Sequence, residues 1–407
     1  MKTQDYISRE EQYLAYNYHP LPVVLNKAEG VWLWDVEGNK YLDFLSAYSA
    51  VSAGHVNPRL KKALIDQLET LDVPSRAFYT DKLGLFAEKL CKVTGMDKML
   101  PMNTGAEAVE TAVKAARRWG YTKKNIPSDQ AKILVSSGNF HGRTTTIVGF
   151  SSDDEYKENF GPFDGGFDIV PYGDLDAFEK AASNPNVCAY ITEPMQGEAG
   201  IIIPPKGWLK SIQEICKKHN VLLICDEIQS GIGRTGKDFA FQHEIDRPDG
   251  LILGKALGGG VYPVSAFLAR ADVMDVFNPG SHGSTFGGNP IAAAIGIESL
   301  NILEEEKLAE RSAELGAYTI DKIREMNSPL VQDLRGAGLW IGIDIDPTRA
   351  SARAVCEALK LRGLLCKETH ETVVRLAPPL TITKDDIDWA LSQIQNVFKL
   401  MEQKAAA

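Results

Sequence analysis

The sequence predicts an α/β fold. A large domain is built on a mainly parallel sheet flanked by helices, and a smaller α/β domain completes the chain. Two observations carry the large domain. Short, continuously apolar runs recur through the middle of the chain, at AKILVSS, FDIVPY, VCAYITEP, VLLICDE, GLILGKA and VSAFLAR. Segments of helical spacing separate several of them, as LKSIQEICKKHN does before VLLICDE. A strand apolar on both faces must be covered on both faces, and alternation with helices supplies the crossovers of a parallel sheet. A third observation carries the small domain: after about residue 298 the chain turns helix-rich, with one alternating strand at GLWIGIDID.

The elements follow in order. VWLWDVEGNKYLDF reads as a hairpin around the turn Glu37-Gly38-Asn39-Lys40. MNTGAEAVETAVKAARRWG opens with a turn at Asn103-Thr104-Gly105-Ala106 and continues as a strong helix. The last helix sets Ile387, Ala390, Leu391, Ile394, Val397, Phe398 and Met401 on one face, with Thr383 as its N-cap. The closing KAAA reads as a frayed end. The expected plan is residues 1–54 as an N-terminal segment packing with the small domain, 55–297 as the large domain and 298–407 as the small one.

Composition excludes several function classes. With 407 residues, 44% hydrophobic and 24% charged, the chain has the makings of a soluble globular protein with a large core. A net charge of −10 argues against a nucleic-acid-binding face. No apolar stretch approaches the roughly 20 residues that span a bilayer. The opening MKTQDYISREEQYLAYNYHP resembles neither a signal nor a transit peptide, so a cytoplasmic location is expected. The six cysteines form no C-x-x-C pair and the histidines are dispersed, which gives a zinc site or disulfide framework little support.

Chemistry concentrates at strand ends, where ligands collect in such sheets. In LILGKALGGG, Lys255 closes an apolar run and is followed by glycines. It either snorkels to solvent or sits half-buried, where it loses proton affinity and becomes a nucleophilic amine. VLLICDEIQ delivers Asp226 to the end of a buried strand, where an unpaired carboxylate is costly and calls for a cation or strong donor. A protonated pyridine nitrogen would serve, as in pyridoxal phosphate. The helix start at Gly105 and Ala106 offers backbone N–H groups to a phosphate, although the same residues make an ordinary N-cap. HGSTFGGNP is too glycine-rich for an element interior, and Ser284 and Thr285 could add hydroxyls to that phosphate.

Two nucleotide patterns fail on context. Gly231-Ile-Gly-Arg-Thr-Gly236 spells G-x-G-x-x-G, but the segment KDFAFQHEIDRPDG behind it is a poor helix and cannot hold a pyrophosphate. Gly254-Lys255 is no P-loop, because Asp249 stands where a glycine is needed and Ala256 where Ser or Thr would hold magnesium.

Taken together, NTGAEA, NFHGRT, EPMQGEAG, CDEIQSGIGRTG, LGKALGGG and GSTFGGNP resemble, in order along nearly the whole chain, the class III, fold-type I, pyridoxal-phosphate-dependent aminotransferases. Within that family NYHPLPVVL, LSAYSAV, SRAFY, NFGPF, GEAGIIIP and VRLAPPL are most similar to members acting on ornithine. The resemblance implies a fold-type I transferase with pyridoxal 5'-phosphate as cofactor. The activity it implies is transfer of the δ-amino group of L-ornithine to 2-oxoglutarate, giving glutamate 5-semialdehyde and L-glutamate.

By the same resemblance, Lys255 is the Schiff-base lysine and proton carrier, Asp226 pairs with the pyridine nitrogen, and Gln229 donates to the phenolic oxygen. Phe140 stacks on the ring. Gly105, Ala106 and Ser284 serve the phosphate, with Thr285 reaching it from a neighbouring subunit, which implies at least a homodimer. Arg143 is the arginine for the α-carboxylate of ornithine, and Arg375 the one for glutamate or 2-oxoglutarate. Glu198 masks Arg375 while ornithine binds. Tyr18 and Tyr48 shape the ornithine pocket and separate it from relatives acting on acetylornithine or 4-aminobutyrate. Outside that context the arginines read as surface residues, Glu198 as a loop acid and the tyrosines as core. His141 and Cys225 receive no role beyond lining the site and filling the strand. A nicotinamide-dependent dehydrogenase, resting on Gly231, Gly233 and Gly236, is the competing reading from another class; a cofactor-binding protein without turnover is the third.

Overall fold

Strands β1 (Leu25–Glu29), β2 (Trp32–Asp35) and β3 (Lys40–Asp43) form an antiparallel meander in the computed structural model, which describes residues 1–405. The β2–β3 turn closes because the Asp35 carboxylate accepts from the Glu37 and Asn39 amides at 3.0 and 2.8 Å, while Gly38 takes a φ of +88°.

The central sheet follows, as β4 (Lys98–Met102), β5 (Lys132–Ser136), β6 (Phe167–Val170), β7 (Val187–Thr192), β8 (Leu222–Asp226), β9 (Gly250–Leu253) and β10 (Ser265–Ala269). Its spatial order is β4-β10-β9-β8-β7-β5-β6, and only β10 runs against its neighbours. All residues of β7, β8, β9 and β10 are buried, as continuous apolar runs require when helices cover both faces. β4 carries Pro101, a residue that reads against a central strand; it stands at the sheet edge, where a missing N–H is tolerated. Because β10 alone is reversed, β4, β5, β7, β8 and β9 all end on one edge of the sheet.

The C-terminal part adds β11 (Val331–Ala337), β12 (Trp340–Ile345), β13 (Leu364–Leu365), β14 (Lys367–Thr369) and β15 (Val373–Leu376). Four of these pair in the order β11-β12-β15-β14. The fifth, β13, instead pairs in parallel with β3, through Leu364 with Leu42 and Leu365 with Asp43, so the N-terminal meander is completed by the C-terminal part of the chain. The last helix runs Lys384–Ala405, and Thr383 caps it by accepting from the Asp386 amide at 3.1 Å. Of the closing KAAA, 406 and 407 lie outside the described residues. No described helix is long and apolar enough to cross a membrane.

Candidate active site

Asp226 ends β8 with its carboxylate buried. Its Oδ1 accepts from the Ile228 amide at 3.0 Å, and its Oδ2 lies 2.6 Å from His141 Nδ1. The imidazole is buried too. Burial opposes its positive charge, but the hydrogen bond and charge of Asp226 outweigh burial and hold its pKa above the ordinary value.

Lys255 follows β9 and enters a short 3₁₀ turn, Lys255–Gly258, with a φ of +43°. Burial lowers the proton affinity of its amine; Glu198 and Asp226 offset this in part, while the positive Arg375 adds to it. The amine faces a cavity of about 200 Å³ that it shares with Gly105, Ala106, Phe140, Asp226 and Gln229. His141, Gly142, Glu193, Ile228 and Ser230 complete the wall. Gly105 starts the Gly105–Thr122 helix here, and a Cβ on it would meet Ile228 Cδ1 at 2.8 Å. Thr104 and Glu107 form a capping box, so this turn is an ordinary N-cap as well as an open helix N-terminus.

A second arrangement adjoins the first. Arg375, on β15, is 1% exposed and donates through Nη1 and Nη2 to the two carboxylate oxygens of Glu198 at 3.0 and 2.9 Å. Gln229 closes the group, accepting from Arg375 at 3.2 Å and donating to Glu198 at 3.1 Å. Burial alone would raise the Glu198 pKa, but the Arg375 fork holds it down at about 2. The Tyr48 ring lies 5.1 Å from this guanidinium. Arg143 is exposed and lies against the Tyr156 ring at 4.2 Å and the Phe140 ring at 5.5 Å. A wider cavity of about 640 Å³, lined by Phe140, Tyr156, Glu198 and residues 369–371 among others, opens beside these groups.

Tyr48 is delivered in an unusual way. Ser46, Ala47, Tyr48 and Ser49 have φ values of +44°, +47°, +58° and +73°, four consecutive non-glycine residues in the left-handed region. Each such residue costs roughly 1–2 kcal/mol, so the turn persists only because its surroundings dictate it. Asp43 contributes by accepting from the Leu45 and Ser46 amides at 2.8 and 2.9 Å.

Beyond Tyr48, Arg143, Glu198 and Arg375, three further residues named from the sequence lie outside the inner cavity. Tyr18 is 67% exposed. Ser284 spends its hydroxyl oxygen on the Asn103 side chain and the Gly287 amide, at 2.8 and 3.2 Å. Thr285 lines a separate small cavity with residues 73–76. The G-x-G-x-x-G stretch begins one residue after Ser230 but lines no part of the inner cavity, and the short 3₁₀ turn Ala240–His243 follows it rather than a long helix.

Sequence reasoning gave His141 no role beyond lining the site, where it stands, and passed over Tyr156 and Glu193. The buried Glu193 carboxylate accepts from the Phe140 and Gly197 amides, both at 3.1 Å, and burial pushes its pKa up to about 7. It follows the buried strand β7 as Asp226 ends β8, so the strand-end rule applied to Asp226 would have found it. Nothing local marks His141 or Tyr156.

The profile of the class-III aminotransferases matches residues 13–398. The chain belongs to the class-III aminotransferase family. Members of this family use pyridoxal phosphate. One relative, the ornithine aminotransferase of Brevibacillus brevis, is 56% identical over 401 residues, covering 98% of this chain and all of its own. Among solved class-III aminotransferases, an ornithine aminotransferase of Toxoplasma gondii with partially occupied pyridoxal phosphate superposes with a TM-score of 0.98 at 43% identity, over 100% of this chain and 96% of that one. An acetylornithine aminotransferase of Elizabethkingia anophelis gives 0.90 at 46% identity, over 98% of this chain and 100% of that one.

Proposed function

We propose that this aminotransferase moves the δ-amino group of L-ornithine to 2-oxoglutarate. The products are L-glutamate and glutamate 5-semialdehyde, which cyclises to pyrroline-5-carboxylate. The observation that carries this reading is the contrast between two arginines. Arg375 is locked to Glu198 in a two-point fork, whereas Arg143 is exposed and has no carboxylate partner among the described residues. A substrate that brings its carboxylate to Arg143 leaves a distant amine to react. A second substrate displaces Glu198 and sets its α-carboxylate on Arg375, which brings its α-carbon to the same place.

The cavity residues fit pyridoxal phosphate. Asp226, buried and oriented by His141, suits a protonated ring nitrogen; Phe140 offers a ring face; the Gly105 and Ala106 amides suit a phosphate. When bound, the cofactor supplies an aldehyde for the amine and a ring that takes up electron density. Lys255, its ammonium destabilised by burial, is the base that takes the proton from the substrate carbon and returns it. Tyr48 and Tyr18 wall the ornithine side, and Tyr156 steadies Arg143.

Ser284 and Thr285 lie outside the inner cavity of their own chain, and Phe286, next to Thr285 in the chain, is exposed, as are Phe78 and Tyr79, which stand between Arg76 and Thr80 of the small cavity in the chain. This supports a homodimer in which the partner's phosphate site receives Thr285. The three sheets support the division at 1–54, 55–297 and 298–407, with the first unit joined to the third through β13. Bacterial relatives such as that of Brevibacillus brevis and six free cysteines support a cytoplasmic setting.

The likeness to an acetylornithine aminotransferase at 46% identity favours acetylornithine as the second reading. The test is a single half-reaction. Holoenzyme is mixed separately with L-ornithine, N-acetylornithine and 4-aminobutyrate, the visible absorbance is followed, and o-aminobenzaldehyde traps pyrroline-5-carboxylate. Ornithine is expected to react fastest and alone to give the trapped product. Faster reaction with N-acetylornithine or 4-aminobutyrate overturns the substrate assignment.

A further inference from the structure

The motif Gly231–Gly236 lines no part of the inner cavity, yet its arginine is among the largest fully buried side chains. Among the described residues no carboxylate pairs with Arg234. Its Nη2 donates to Ser46 Oγ at 3.1 Å and Ser52 Oγ at 3.2 Å, and its Nη1 to the carbonyls of Leu339 and Pro378 at 3.0 and 2.7 Å. Asp43, whose charge acts on it from a distance, is occupied by the Leu45 and Ser46 amides and by His55. A buried cation without a paired acid is costly, so what this side chain gives the fold is its fork of fixed donors.

The fork closes on the left-handed turn at both ends. Ser46, the first left-handed residue, is gripped directly and its hydroxyl donates a hydrogen bond to the Ala377 carbonyl at 2.7 Å. Ser52 is gripped at the far end, and its hydroxyl donates to the carbonyl of Ser49, the last left-handed residue, at 3.1 Å. Between these two clamps stands Tyr48. Gly233 and Gly236, at φ +85° and +90°, turn the chain on either side of Arg234. Substituents on them would press on Leu303 and Leu380, and on Ala313, at 3.0 Å.

We infer that Arg234 is a positioning residue for substrate choice: it holds the 46–49 turn in its left-handed form and so fixes Tyr48 against the ornithine pocket. The inference rests on the proposed role of Tyr48 in that pocket. Arg375, although the Tyr48 ring lies 5.1 Å from its guanidinium, takes its hydrogen bonds from outside the turn, through its place on β15 and through Glu198 and Gln229.

The test uses holoenzyme of the parent, Arg234→Lys, Ser46→Ala and each of these combined with Ala47→Gly. Lysine keeps the charge and loses the fork; Ser46→Ala removes one acceptor and is the milder change should Arg234→Lys fail to fold. Glycine takes the left-handed form without strain. Hydrogen exchange of the peptide covering 44–54 is expected to quicken about tenfold in the single variants, with β8 and β9 unchanged, and to slow again with Ala47→Gly. The KM for ornithine is expected to rise about fivefold, kcat and the KM for 2-oxoglutarate to stay within about twofold, and Ala47→Gly to restore the ornithine value. Unchanged exchange in 44–54, equal rises in both KM values, or no recovery with Ala47→Gly overturns the inference. A parent that does not react with ornithine overturns the functional reading instead, and the exchange measurement still decides the role of Arg234 in the turn.

Discussion

His141 donates from Nδ1 to Asp226 Oδ2 across 2.6 Å, and neither side chain is open to solvent. One carboxylate oxygen is thereby fixed, the other is held by the Ile228 amide, and the carboxylate cannot rotate away from the cavity. Replacing His141 with Asn keeps a donor of similar reach without the charge. The kcat of His141→Asn is expected to fall by about ten- to a hundredfold, as for residues that orient a first ligand. Because the native imidazole pKa is raised, its stabilising contribution is complete below the unfolded value and is lost as pH rises through the native one. Melts of parent and variant should therefore differ most at low pH and converge as pH rises; a constant difference contradicts the pairing.

Lys255→Ala removes the only amine that lines the inner cavity among the described residues. Single-turnover transfer from ornithine is expected to drop at least about 10³-fold, within the range for losing a positioned base and nucleophile. Stopped-flow absorbance on cofactor-loaded variant measures it. Near-parental rates would remove Lys255 from the chemistry.

Glu198→Gln weakens the fork that masks Arg375. Ornithine then finds two competent arginines, and transfer from its α-amine should gain on transfer from its δ-amine by about tenfold. Product analysis, trapping pyrroline-5-carboxylate against total glutamate formed, reads the ratio. Since the Glu198 pKa is held at about 2, no step in the KM for 2-oxoglutarate between pH 5 and about 9 should belong to it. An unchanged product ratio argues that Glu198 does not govern which amine reacts.

Glu227 is buried beside Asp226 and accepts from the Ala240 and Phe241 amides at 2.5 and 2.7 Å, with burial pushing its pKa up to about 8. A raised carboxyl gives its full stabilisation below the unfolded pKa, and this is lost as pH rises through the native value. Between pH about 4.5 and about 8 the parent should lose melting temperature faster than Glu227→Gln. Parallel melting profiles would show that Glu227 is not taken up in its protonated form.

Glu193 and Tyr156 show where reading from the sequence stops. Glu193 was open to the same argument as Asp226, a carboxylate at the end of an apolar strand, since that signal is local. Tyr156 comes from a single 3₁₀ turn, Asp154–Tyr156, with no periodicity to announce it, and meets Arg143 only because the loop after β5 folds over the cavity. Likewise β4, absent from the apolar runs read in the sequence, carries Pro101, which a strand tolerates only at an edge, and the sequence does not say which strand stands there.

By itself the sequence determined β2, β3, β5 to β10 and β12, three of the helices and the strand-end positions of Asp226 and Lys255, because burial on both faces and helical spacing are written in runs of a few residues. The motif set also carried the family. Tertiary structure alone decided that His141 meets Asp226, 85 positions away, and that Arg375 meets Glu198, 177 positions away. It alone decided that Arg234 closes on Ser46 and Ser52, and that β13 completes the N-terminal sheet. Those pairings follow from strand order and from which sheet edge each loop leaves, quantities that no local run of side chains encodes.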